Sequence, residues 1–199
     1  MANASIGIEY PVFAPLVSHT DGSMPTYGTG RVIQEAREVT VNKTFTDNQL
    51  YGDDVEQDND NGVTSMGVEF ESTGLDDEDR VHLFGEEANA NTVIGGQWES
   101  DNETPYGGFA YIRRMRDKGT KSFEAWIILK VKFQETQQTT RTKEGQQITW
   151  GTPRMSGTAA ALDVDGSGEN RYRLHKTFTS SGAARAWING LLNVAAVTT

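Results

Sequence analysis

The chain contains no cysteine, so it has no disulfide framework, no thiolate metal site and no cysteine nucleophile. Histidine is nearly as scarce. His19, His82 and His175 stand far apart, none with a second histidine two to four residues on, and nothing in that spacing assembles a zinc site. Long apolar runs are missing too: none approaches the roughly 18 residues of a membrane-spanning helix. The opening MANASIGIEYPVF lacks the basic and apolar segments of a secretory signal. The protein is accordingly expected to stay in the cytosol of its producer or to leave it only by lysis. Basic residues are outnumbered, 18 Lys and Arg against 28 Asp and Glu, and the net charge of -10 argues against adhesive binding to phosphate backbones.

Catalytic signatures are equally thin. There is no Gly-x-Ser-x-Gly elbow and no Gly-Lys-Ser/Thr phosphate loop, and the adjacency of Ser18 and His19 means little in a loop. Carboxylates are so dense in the middle third that no pair stands out as an acid–base dyad. The run Asp163-Val164-Asp165-Gly166-Ser167-Gly168-Glu169 has the alternation of a calcium loop, but the position that needs a bidentate Glu holds Leu174. A turn between strands is the simpler reading. An enzyme is not expected, and neither is a cofactor or metal.

What is present is a β pattern on a 199-residue chain, enough for one domain with a proper core. Residues 104–133 read as one long hairpin. In the second arm Phe123, Ala125, Ile127, Leu129, Val131 and Phe133 alternate with Glu124, Trp126, Ile128, Lys130 and Lys132. Eleven residues at roughly 3.3 Å each give a strand of about 35 Å. The first arm, Phe109 to Arg116, joins it through Asp117-Lys118-Gly119-Thr120, where Gly supplies the turn. Val39 with Val41, Met66 with Val68 and Phe70, and Tyr172 with Leu174 and Phe178 mark further strands.

Two short helices are expected. Asp76 to Asp79 crowd the first turn of one that ends at Gly85, with carboxylates at the positive end of the dipole. Ala184, Trp187, Ile188, Leu191 and Leu192 follow amphipathic spacing in the other, capped by Ser180 or Ser181. The fold class is then mainly β, a sandwich or half-open barrel with a long β-hairpin and one or two short flanking helices, in a single domain over 1–199. Residues 1–17 read equally as an arm that reaches a neighbour or as an edge strand, and 193–199 as a C-terminal tail.

Charge is unevenly placed. Residues 1–44 carry a net -1, residues 45–105 a net -16 and residues 106–199 a net +7. Solvated faces explain this blandly. Complementarity between copies explains it more sharply, and head-to-tail contacts of that kind build rings or filaments. The acidic stretch from Gly52 to Gly62 and the polar one from Gln134 to Gln147 read as long connections. Arg113, Arg114, Arg116, Lys118 and Lys121, next to Tyr106, Phe109 and Tyr111, form a basic cluster suited to nucleic acid or to a neighbour's acidic face.

Several of these segments carry a family likeness: TPYGGFAYIRRMRDKGTKSFEAWIILKVKF over 104–133, Ile6-Gly7, Thr26-Tyr27-Gly28-Thr29, Leu50-Tyr51-Gly52-Asp53-Asp54, and Thr152-Pro153 with Ser156-Gly157-Thr158. In order and spacing the chain resembles the major tail proteins, or tail tube proteins, of long non-contractile-tailed bacteriophages. That resemblance implies a structural virion protein. It implies that six copies form a ring, that sheets join into a β-lined channel, and that rings stack into a tube through which viral DNA passes without specific binding. It implies further partners in the tape measure protein, the tail terminator and the tail-tip proteins. Location would be the virion tail, with the host cytoplasm during assembly.

On this reading the candidates for the ring sheet are Phe109, Tyr111, Arg113, Arg114, Trp126, Lys130 and Lys132. Candidates for contacts between rings are Asp53, Asp54, Glu56, Asp58 and Asp60, facing basic residues such as Arg141 and Lys143. The competing reading is a calcium- or carbohydrate-binding β-sandwich adhesion module, with Trp98, Tyr106, Phe109 and Trp126 as an aromatic platform.

Overall fold

A computed structural model describes residues 4–33, 36–46, 48–52, 55–60, 62–88, 96–98, 103–117, 119–138 and 151–195; of 48–52, 55–60, 88 and 97 it describes the backbone alone. The elements are β1 (Ala4–Ser18), β2 (Thr26–Tyr27), β3 (Arg31–Val32), β4 (Ala36–Phe45), β5 (Asn48–Gly52), β6 (Val55–Asp60), β7 (Val63–Ser72), α1 (Asp77–Phe84), β8 (Glu87–Ala88), β9 (Gln97–Trp98), β10 (Gly107–Asp117), β11 (Thr120–Gln137), β12 (Arg154–Ala159), β13 (Arg173–Phe178) and α2 (Ser181–Leu191). The protein is mainly β, as its alternating pattern indicates.

One antiparallel sheet dominates, in the order β2-β1-β10-β11-β12-β7-β4, with β3 beside β1 and β13 beside β11. The long hairpin β10–β11 lies in its middle. β11 outlasts every partner: on its far side it pairs with β13 over Phe123–Ile128 and with β12 over Val131–Gln137.

The change of partner coincides with a break in alternation. Phe109 faces Ile128 but Gly107 faces Val131, so Leu129 and Lys130 together oppose Gly108, a β-bulge. Ala125, Ile127 and Leu129 pack on one side of the sheet, whereas Val131 and Phe133 pack on the other. The strict period-two alternation expected over 123–133 therefore fails at this point. One extra residue turns the second half of the strand over, and the sheet bends there.

Bending creates two cores. Phe13, Met66, Val68, Phe70, Phe109, Val131, Phe133 and Met155 come from β1, β7, β10, β11 and β12 into one cluster, which the sheet wraps as a half-open barrel. Leu83 of α1 and Ile33 complete it. The phenylalanines meet as tilted or edge-on pairs, with Phe109 5.1 Å from both Phe70 and Phe133. On the opposite face Val12, Ala14, Ala110, Ile112, Ala125 and Ile127 are covered by Ala184, Ile188 and Leu192 of α2 and its C-cap. Strands β1, β10 and β11 are thus buried on both faces, which is why their central residues read as continuous apolar runs.

Both helices begin and end where local chemistry places them. Asp76 caps α1 and exchanges hydrogen bonds with Asp79 in a capping box, and Gly85 ends it in the left-handed region. Ser180 caps α2 by accepting from the Ala183 N–H.

The N-terminal stretch is not a free arm over its described residues. β1 runs along β10 for nearly its whole length, and Val12 and Phe13 are fully buried. It is an edge only at its start, since β3 takes the other side at Val12 and Phe13 and β2 at Leu16 and Ser18. Likewise the tail begins anchored: Val194 bridges to Gly30, while 196–199 lie outside the described residues. The acidic connection is corrected as well. Instead of an aperiodic loop, β5 and β6 form an antiparallel hairpin from Asn48↔Asp60 to Gly52↔Val55, which prolongs the β4–β7 pair in the register of Phe45↔Val63 and of the Thr46 N–H donated to the Gly62 carbonyl. In the polar stretch from Gln134 to Gln147, residues 134–137 continue β11 and 139–147 lie outside the described residues.

Candidate assembly surfaces

Of the residues that the sequence offers for a ring sheet, Phe109 and Tyr111 are core residues, buried on the barrel side. Burial raises the Tyr111 phenol above its ordinary value, with Arg173 and Arg113 opposing. Trp126, opposite Tyr111, is half-buried; its ring stacks on His175 at 4.3 Å, with the Arg173 guanidinium 4.1 Å from the ring centre. The Trp126 Nε1–H donates to Glu124 at 2.8 Å, and Glu124 also meets Arg113 at 3.4 Å. Arg114 faces the helix side, where its Nε donates to Glu9 at 2.6 Å. Lys130 and Lys132 both lie over the Tyr106 ring, and Lys132 reaches Glu103 at 3.2 Å.

The hairpin is therefore the middle of the sheet and not its rim. Unpaired strand edges of the main sheet, among the described residues, belong to β13, which pairs only with β11, to β4, which pairs only with β7, to the start of β1, and to the two-residue strands β2 and β3, which pair only with β1. Such edges are templates for another chain unless something covers them. Sequence reasoning placed strands at β13 and β4 yet missed that they were edges, because edge position depends on pairing between distant segments.

For the contact candidates, Glu56, Asp58 and Asp60 lie on β6, and Asp53, Asp54, Arg141 and Lys143 lie outside the described residues. The acids of the middle segment find basic partners within one copy to a degree that the sequence did not show. Arg154 and Arg37 hold Glu71, at 3.0 and 2.8 Å, and Thr152 donates to the same carboxylate at 2.5 Å. The Thr152 hydrogen bond, with help from Arg154 and Arg37, keeps Glu71 below its ordinary pKa despite burial. Arg80 of α1 bridges Glu86 and Glu135. Arg31 gathers Asp76, Glu78 and Asp79, its Nε 2.9 Å from the buried Asp79 carboxylate, and so ties α1 to β3.

Where the sheet stays open, between the start of β1 and β4, a cleft is lined by Ile8, Val39, Val41, Arg37, Arg113 and Arg173 among others. Ile8, Val39 and Val41 are half-buried, so the barrel core reaches this opening incompletely covered.

The residues of the competing reading do not come together. Phe109 is in the core and Trp126 faces the barrel side, whereas Tyr106 lies against Lys130 and Lys132. In the 163–171 turn the Asp163 carboxylate accepts N–H groups from Asp165, Gly166 and Gly168, and Asp165 accepts from Ser167. Amide hydrogens thus point at the oxygens that a calcium ion would need. Among the described residues no three His, Asp or Glu side chains gather as a metal site, and no helix is long and apolar enough to cross a membrane. His19 contacts the Asp163 carbonyl and His82 the Glu78 carbonyl. No protein-family model matches this chain, and no curated protein matches it.

Proposed function

We propose that this protein is a self-assembling tail tube subunit, whose copies join into rings and whose rings stack into a channel for viral DNA. The observation that carries this reading is the main sheet left unpaired, among the described residues, along β13, β4 and the start of β1, together with a β5–β6 ribbon that prolongs the β4–β7 pair with no third strand beside it. A two-stranded ribbon that reaches beyond its sheet has little to stabilise it in water, and free strand edges seek partners. Self-association supplies both needs. The likeness of the 104–133 hairpin and its flanking motifs to tail tube proteins points the same way, as does the flanking helix α2 on a curled sheet. An acidic chain of net charge -10 also suits a passage that DNA traverses without sticking.

Hydrogen exchange compared between dilute and concentrated protein tests this reading. Amides of β13, β4 and the β5–β6 ribbon gain protection on assembly if those edges are the joints. Equal exchange at both concentrations, in a protein that stays monomeric, contradicts it. Reversing Asp53 and Asp54 to Lys is expected to reduce tube yield and length, since both sit in the acidic segment; unchanged tubes would remove that segment from the stacking contact.

A further inference from the structure

We infer that the cleft between β1 and β4 is the receptor for the β5–β6 hairpin of a second copy. This rests on the self-assembly reading and assigns its head-to-tail contact to particular residues. Two observations meet here. The cleft has an apolar wall of half-buried Ile8, Val39 and Val41, and a rim carrying Arg113 and Arg173, besides the Arg37 that Glu71 holds, against one lining carboxylate, Glu38. Arg173 has no carboxylate partner among the described residues; it lies over Trp126. Arg113 is held only loosely by Glu124, at 3.4 Å, and its side chain is 38% exposed, so a second acid can reach it.

The hairpin offers the complement. β6 carries Glu56, Asp58 and Asp60, no basic residue occurs anywhere in 48–60, and Leu50, Tyr51 and Val55 are interspersed. The ribbon's sequence supplies apolar residues to match the wall and acids to match the cationic rim. Removing both surfaces from water lets the apolar contact supply the attraction while the charges fix the register. The same hairpin prolongs the β4–β7 pair and, among the described residues, has no third strand beside it. Because donor and receptor are different surfaces, the contact is heterologous and propagates from copy to copy instead of closing a two-fold dimer.

The absence of native cysteine makes the test direct. Two single-cysteine chains are mixed and oxidised, Asn48→Cys on the hairpin, opposite Asp60, and Ser5→Cys on the cleft, one carrying a mass tag. A mixed disulfide is expected in about tenfold excess over a control pair of Asn48→Cys with Glu169→Cys, because the bond forms only between closely held Cβ atoms. Placing Arg113→Glu and Arg173→Glu in the Ser5→Cys chain is expected to lower the yield about tenfold, given the strength of interfacial charge reversal; circular dichroism checks that this chain folds. A yield equal to the control, or one that ignores the reversal in a folded chain, overturns the assignment. The two readings fail separately: cross-linking without tubes keeps the docking and removes the tube, while tubes without cross-linking do the reverse.

Discussion

Tyr27 donates its phenolic hydrogen to the main-chain carbonyl of Leu129 across 2.6 Å, in a buried setting. Leu129 is one of the two bulge residues at which β11 turns its faces over, so this hydrogen bond satisfies a carbonyl that the interrupted ladder leaves behind. Burial raises the Tyr27 phenol well above its ordinary value and keeps it a donor. Tyr27→Phe strands that carbonyl. We expect a loss of about 1–3 kcal/mol, the usual cost of an unsatisfied buried polar group, measured by denaturant unfolding.

Gly108 lies opposite the bulge, and a Cβ there would stand 2.7 Å from both a Tyr27 ring carbon and a Leu192 methyl. Gly108→Ala is expected to cost about 1–3 kcal/mol through overpacking. Gly190, inside α2 with open space where a Cβ would stand, behaves oppositely: Gly190→Ala is expected to stabilise by about 0.5–1 kcal/mol. Thermal melts of the two variants should move in opposite directions.

How much of this was legible follows from where the information sits. The cap at Gly85 and a serine cap at 180 or 181 were readable because capping is decided within a few residues, while Asp76, read as part of the first turn, is the N-cap of α1. Strands were readable from apolar alternation, yet the bulge was not, since Leu129-Lys130 contains neither Gly nor Pro. Three successive apolar residues, Ile127, Ile128 and Leu129, were the one local hint that both faces are buried there. The β5–β6 ribbon was hidden by its carboxylates, which carry poor strand propensity. Pairings such as Arg154 with Glu71 and Lys132 with Glu103 join distant segments, so charge patterning alone assigned to neighbours what one copy partly keeps for itself.

Stability should fall in acid. Burial of Glu9 would raise its pKa, but hydrogen bonds from Ser181 and Arg114, with Arg185 nearby, hold it below its ordinary 4.5. Asp76 is similarly lowered from 3.8, where N–H donors of α1 and Arg31 outweigh burial. A depressed folded-state pKa gives stability that is present above the unfolded value and lost as pH falls through the folded one. The decline therefore lies below the ordinary carboxylate values. In Glu9→Gln the wild-type advantage seen near neutral pH should shrink as pH drops from about 5 to about 3. An advantage that is constant across this range would contradict the Glu9 contribution.

Calcium is expected to do nothing. With Asp163 and Asp165 already accepting backbone N–H groups, the melting temperature in about 10 mM calcium, well above the affinity of weak extracellular sites, should match that in chelator. A calcium-dependent rise would favour the binding-module reading.

Negative-stain electron microscopy of the purified protein across a concentration series, with and without chelator, tests self-assembly most directly. Rings or hollow tubes that grow with concentration and ignore the chelator are the expected result. Uniform single subunits at every concentration, with the fold intact by circular dichroism, would contradict it.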